Sequence, residues 1–427
     1  MVNCQWYAEE PDLAEAEPQT ELESGGETGR YRFLVLTSYL IYAVGPLVGN
    51  GVLTLLGPIS ADFVTNPTAV LAAIPAFMFP FAFIQLFSGA ISDVYGRVPV
   101  MVSGLIAFTV GLTVTAYSTS LGILVVGNVV CGIGFGFVNP VLLALLSDVS
   151  TPEEIPKRMG IASALASLSA GVGPFIAGQM VVLGWQSYYF LFLSISAFGL
   201  VAISIAHRPT KTRYADAGPR MFVRNLGIEL RKPVVLLMLG STFLVALVYL
   251  GALVWTSRGL TGVLDENLIG LILLGAGASG ATAGSLLGPI ARRRGFALPI
   301  GLGFLALFGG LITFLLLGDI TSADSVPLVG LALAGMGWAG GLLFPMMITY
   351  SQIISPTRRG VLAGAVTFSF FFGSALNPTL YAPLFAVGMS AVYAGMLVVS
   401  VVLAIFVSVL YRKLKPMYLD IGQKSEQ

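Results

Sequence analysis

Twelve apolar runs, each about as long as a bilayer is thick, constrain this chain more than any other feature. They fall at approximately 32–56, 68–90, 98–118, 121–146, 159–182 and 186–206, then at 233–256, 267–290, 297–317, 327–350, 361–384 and 388–411. Crossing roughly 30 Å of hydrocarbon takes about 20 helical residues, and within lipid a helix satisfies its own backbone groups. Only 10% of the 427 residues are charged. Soluble domains carry about 25%, so a water-facing surface cannot be built from this composition. The chain reads as an all-α membrane protein with twelve transmembrane helices.

The positions of the few charges orient those spans. Of the 22 Lys and Arg residues, 21 lie on one face. They occupy the termini, the loops at Arg97, Lys157–Arg158, Arg292–Arg294 and Arg358–Arg359, and the stretch between spans 6 and 7. The opposite face holds only Arg258. The excess of basic residues in cytoplasmic loops predicts that the crowded face is cytoplasmic, with both termini inside. The expected location is the plasma membrane.

Several chemistries are excluded. The two cysteines, Cys4 and Cys131, rule out a disulfide framework, and one histidine, His207, leaves almost nothing for His-based catalysis or metal binding. No phosphate-binding GxxxxGK[ST] occurs. The chain is therefore not read as an enzyme, no cofactor is expected, and uphill transport would draw on an ion gradient.

The organisation follows from the same pattern. Residues 1–30 form an acidic, disordered cytoplasmic tail, with eight acidic residues before Arg30 and no basic one. Residues 31–207 make a first six-helix bundle, 208–232 a basic cytoplasmic linker, 233–411 a second bundle and 412–427 a cytoplasmic tail. The second bundle repeats the first. Gly89-Ala-Ile-Ser-Asp-Val-Tyr-Gly-Arg97 is echoed by Gly288-Pro-Ile-Ala-Arg-Arg-Arg-Gly295, with the same seven-residue step between glycines. Gly132 to Pro140 in span 4 and Gly337 to Pro345 in span 10 share an eight-residue step. Parallel six-span repeats predict two pseudo-symmetric bundles with a substrate path between them.

These motifs resemble the major facilitator superfamily over nearly all of residues 31–412. Gly89-x-x-x-Asp93-x-x-Gly96-Arg97 is similar to its loop 2–3 signature, with Val94 and Val98 where basic residues are usual. Gly173-Pro174-x-x-Ala177-Gly178 resembles the antiporter signature of the efflux branch, with Ser169 and Ala177 replacing glycines. The Arg and Gln that this branch often carries in span 4 are absent from Asn128-Val-Val-Cys131-Gly132. The resemblance implies the fold of that superfamily and a gating set of Gly89, Asp93, Gly96, Arg97, Gly173 and Pro174. It implies that Asp93 faces the start of span 11 near Gly360 and pairs with Arg97 at the seam between halves. A carboxylate is favoured at a helix N-terminus by about 0.3–1 kcal/mol.

No acidic residue lies inside a span; Asp62 and Asp93, both at span ends, are the nearest proton-binding candidates. The spans instead carry neutral polar stripes. Amides facing lipid are costly, so they should point inward, either to a cavity or to interhelical hydrogen bonds. With the resemblance added, the candidate substrate-binding residues are Tyr42, Asn50, Gln85, Asn128, Asn139, Tyr249, Trp338 and Asn377. Three functions remain open. One is proton-driven export of a neutral or lipophilic small molecule, another a facilitator or importer of an uncharged solute, and the third a non-transporting sensor or scaffold. The expected partners are a small-molecule substrate, protons and the lipid bilayer, with no nucleic acid, and the expected state is a monomer.

Overall fold

The computed structural model describes residues 25–151, 154–206, 219–319, 322–355 and 358–425. The acidic residues before 25, His207 and the linker residues up to 218 lie outside these. In chain order the helices are α1 (Gly25–Gly51), α2 (Leu56–Asp62), α3 (Pro67–Val70), α4 (Ala73–Tyr95), α5 (Arg97–Ala116), α6 (Leu121–Asp148), α7 (Ile155–Met180), α8 (Gln186–Ala206) and α9 (Pro219–Leu230). They continue as α10 (Pro233–Leu260), α11 (Glu266–Arg294), α12 (Ala297–Leu317), α13 (Val326–Ile354), α14 (Arg359–Phe385) and α15 (Met389–Ser425). Twelve candidate spans are long and apolar enough to cross a membrane, six before α9 and six after it. The run expected at 68–90 is divided, because the short α3 precedes the main helix α4. Below, the end of the bundle that carries α9 is the linker end and the other is the far end.

Local sequence sets the boundaries. Ser120, Asn66 and Asp265 cap α6, α3 and α11, each side chain accepting a hydrogen bond from a first-turn N–H. Gly96 and Gly295, the closing glycines of the repeated loop, have φ of 94° and 68°. Each ends one span and turns the chain into the next through a conformation that glycine adopts without steric cost. The repeat is therefore a repeat of backbone geometry as well as of letters.

The halves pack alike. In the first, α4 and α5 lie on α6, α5 on α8, and α1 on α7 and α8. In the second, α11 and α12 lie on α13, α12 on α15, and α10 on α14 and α15. The ring of Phe135 on α6 fills the space beside Gly45 on α1. About 205 residues later the same place is filled from the other helix. Tyr249 on α10 lies against Gly340 on α13, where a Cβ would come within 2.6 Å of the ring.

Two seams join the halves, α7 against α11 and α4 against α14. The first is a close backbone crossing. A Cβ on Gly277 would lie 2.6 Å from Gly171 Cα, and one on Gly270 would lie 2.8 Å from the Pro174 carbonyl. Small residues let membrane helices approach in this way, and dispersion then holds them. The second seam is aromatic: Phe79 meets Phe372, Phe81 meets Phe371 and Phe83 meets Phe368, at centroid distances of 5.6, 4.7 and 5.2 Å.

Candidate substrate path and gates

The far end is where the halves are tied by polar contacts. Ser257 Oγ of α10 donates to the Leu53 carbonyl, and Arg258 Nε donates to Thr68 Oγ1 at 2.8 Å. Arg258 also lies 5.1 Å over the Phe385 ring. Gly178 on α7 packs against the Glu266 backbone of α11. Just inside this closure is a small pocket lined by α1, α4, α10 and α14, including Asn50, Met78, Leu250, Val254 and Ser374.

Asn50 is the one candidate substrate residue on that pocket, and its Nδ2 donates to the Pro46 carbonyl at 2.8 Å. Tyr42, Asn139, Tyr249 and Trp338 are half-buried elsewhere in the helical interior. Asn128 is buried, with Nδ2 bonded to the Leu124 carbonyl of its own helix at 2.9 Å. Gln85 is buried on the α4 face that carries Met78 and Phe81, and its Nε2 has no partner within the protein. Asn377 is fully buried, and neither amide atom is hydrogen-bonded. Its Cγ would lie 3.7 Å from a Cβ on Gly251, beside Tyr381 and Met396, which places it among α10, α14 and α15 within the second half.

At the linker end, Arg97 pairs with Asp93 at 2.5 Å and with Asp148 at 3.1 Å, and donates to Ser92 Oγ at 2.6 Å. The Asp93–Arg97 pair expected from sequence is present, but every one of these groups belongs to the first half. A Cβ on Gly360 would meet nothing within 4 Å, so the Asp93 side chain makes no contact at that position. Asp93 is instead held by Arg97, whose other partners Asp148 and Ser92 also lie in the first half. Gly173 packs against the Leu47 carbonyl of α1 while the adjacent Pro174 carbonyl meets Gly270 of α11. The glycine–proline signature thus sits where α7 touches both its own half and the other.

One functional candidate escaped the sequence reading. Glu229, on α9, is fully buried. It accepts from Arg358 Nη1 at 3.0 Å, Lys232 Nζ at 2.8 Å and Ser355 Oγ at 3.2 Å. Burial alone would raise its carboxyl, but the bonds from Lys232 and Arg358 outweigh that and hold it below the usual carboxylate range. Phe222, seven residues earlier, packs on Phe87 of α4 at 5.9 Å. The linker helix therefore touches both halves. Its signal was an acidic residue set among Arg220, Arg224, Arg231 and Lys232, on an amphipathic helix. Among the described residues, no His, Cys, Asp or Glu side chains gather as a metal site.

Two six-helix halves joined at two seams, with a small pocket between them near one end, have the architecture of a secondary transporter. The chain belongs to the Major Facilitator Superfamily, whose family model matches residues 35–378. It is similar to the drug efflux pump JefA of Mycobacterium tuberculosis, with 26% identity over 79% of this chain and 77% of that protein. The multidrug transporter MdfA of Escherichia coli is 26% identical over 49% of this chain and 51% of its own length. The methylenomycin A resistance protein of Bacillus subtilis is 28% identical, and that match spans 42% of this chain and 39% of the relative. In fold, it resembles a crystal structure of the nucleoside transporter NupG, with TM-score 0.70 and 12% identity over 88% of this chain and all of that one.

Proposed function

We propose that this transporter exports a neutral or lipophilic small molecule by alternating access, in exchange for protons. The observation that carries the reading is the one-sided closure. Ser257, Arg258 and the Gly178–Glu266 contact bind the halves at the far end, while at the linker end the Arg97 node pairs only within the first half. Rocking about the α7–α11 and α4–α14 seams exchanges one closure for the other. The phenylalanines of the second seam and the uncharged pocket suit a lipophilic substrate, and the efflux names of several relatives agree. With 21 of 22 Lys and Arg on the linker face, that face is read as the cytoplasmic side of the plasma membrane. Gly89, Asp93, Gly96, Arg97, Gly173 and Pro174 form the gating set. Asn50, on the pocket, leads the substrate-binding set of Tyr42, Asn50, Gln85, Asn128, Asn139, Tyr249, Trp338 and Asn377.

A second reading is an uncoupled facilitator. It is favoured by the position of the carboxylates, which among the described residues all lie at helix ends or in loops. Proteoliposomes with an imposed pH gradient separate the two. Export predicts substrate movement that accelerates with the gradient and a matching change in lumenal pH. Flux indifferent to the gradient would overturn proton exchange.

A further inference from the structure

On the outer flank, away from both seams, α12 and α15 leave a groove lined by Phe308, Val401, Ala404, Ile405, Val409 and Arg412. Val401, Ile405 and Val409 recur every four residues and are 49%, 57% and 39% exposed, so this face of α15 has no protein cover. From Val401 to Arg412 the helix rises about 16 Å, which is roughly half the hydrocarbon thickness of a bilayer. The groove is one leaflet deep. Its mouth is cationic: Arg412 is exposed, Lys413 follows it, and no carboxylate among the described residues pairs with either.

We propose that this groove holds an acyl chain of one anionic phospholipid, with the lipid phosphate at Arg412. An apolar channel of one-leaflet depth accepts a lipid tail, and a basic side chain at the interface without an internal counter-ion selects an anionic headgroup. A zwitterionic lipid would fill the channel equally well, but its own ammonium would offset the attraction. A guanidinium also presents paired donors to phosphate oxygens.

The test uses the full chain in phosphatidylcholine vesicles, with spin-labelled phosphatidylglycerol or phosphatidylcholine as probe. Wild type should retain phosphatidylglycerol preferentially. Arg412→Gln should reduce that preference about fivefold. Ala404→Trp, which fills the channel without altering charge, should reduce it similarly. A Lys413→Gln/Lys415→Gln double variant should keep most of it. Unchanged preference in Arg412→Gln or Ala404→Trp overturns the site. Equal loss in the double lysine variant also overturns it, because a diffuse basic rim then suffices. Full competition by inorganic phosphate shows that the headgroup charge alone is bound, and the groove plays no part. Circular dichroism and elution volume matching wild type confirm that each variant is folded.

Discussion

Arg258 on α10 reaches Thr68 on α3 with a 2.8 Å hydrogen bond, committing the far end's single basic residue to a neutral partner across the seam. In the proposed mechanism this contact breaks when the far end opens. Replacing Arg258 with Gln should weaken that closure by about 1 kcal/mol, a shift of about fivefold toward the far-side-open state. Labelling of Met78→Cys, a pocket position, reports it. In a background lacking Cys4, a membrane-impermeant thiol reagent added at the far side should react faster.

Gly171 and Gly277 bring the backbones of α7 and α11 together at their crossing. A leucine at Gly277 has no space there without spreading the seam, which should cost about 1–3 kcal/mol. Transport should fall while membrane insertion is retained, as read by flux and by quantitative blotting. Gly275, two residues earlier, has nothing within 4 Å of its Cβ position and should accept alanine with little effect.

The twelve spans and the duplicated loop were legible because they depend on composition and local spacing. The Asp93–Arg97 pair came from the family resemblance of the loop, and it forms across the Gly96 turn between α4 and α5. Long-range partners were not legible. Nothing local announces that Asp148, 51 residues on, shares Arg97, or that Glu229 reaches Arg358. Asn377 illustrates the limit in another way. Its place in a neutral polar stripe was visible, yet a stripe does not say which neighbouring helix it faces. Ser374 borders the pocket, and Asn377, a turn on, lies within its own half.

Asp93 remains the gate carboxylate in the proposed mechanism. Asp93→Asn should impair turnover severalfold with normal insertion, because Arg97 keeps only Asp148 and the node loses a charge. If uptake into inverted vesicles by that variant equals wild type, the gate role is wrong.

Asn377 offers a test that separates structure from function. Replacing a buried, unbonded amide with an apolar group of similar size is neutral or stabilising, by up to about 1–3 kcal/mol. Asn377→Leu should therefore keep or raise the melting temperature. If the amide serves substrate, transport should fall in the same variant. Lower stability with unchanged transport would assign Asn377 to packing.

The depressed Glu229 carboxyl gives a pH dependence with a definite sign. A carboxylate held below its unfolded value of about 4.3 contributes stability that is fully present above that value. The contribution is lost as pH falls through the lower folded value. Protease sensitivity of α9 should thus be flat from pH 7 to 5 and rise only in stronger acid. Glu229→Gln should raise it at neutral pH, since Arg358 and Lys232 lose their shared partner.

The reciprocal filling at Gly45–Phe135 and Tyr249–Gly340 bears on how alike the two halves are. Each half keeps one ring and one glycine at the equivalent place, but the donor helix has changed. A chimera that seats α1 against a copy of α13 would bring two glycines together and leave a hole. One that seats α10 against a copy of α6 would drive two rings into one space. The halves share a plan, yet they are no longer exchangeable parts, and in the second half the ring carries a hydroxyl that Phe135 lacks.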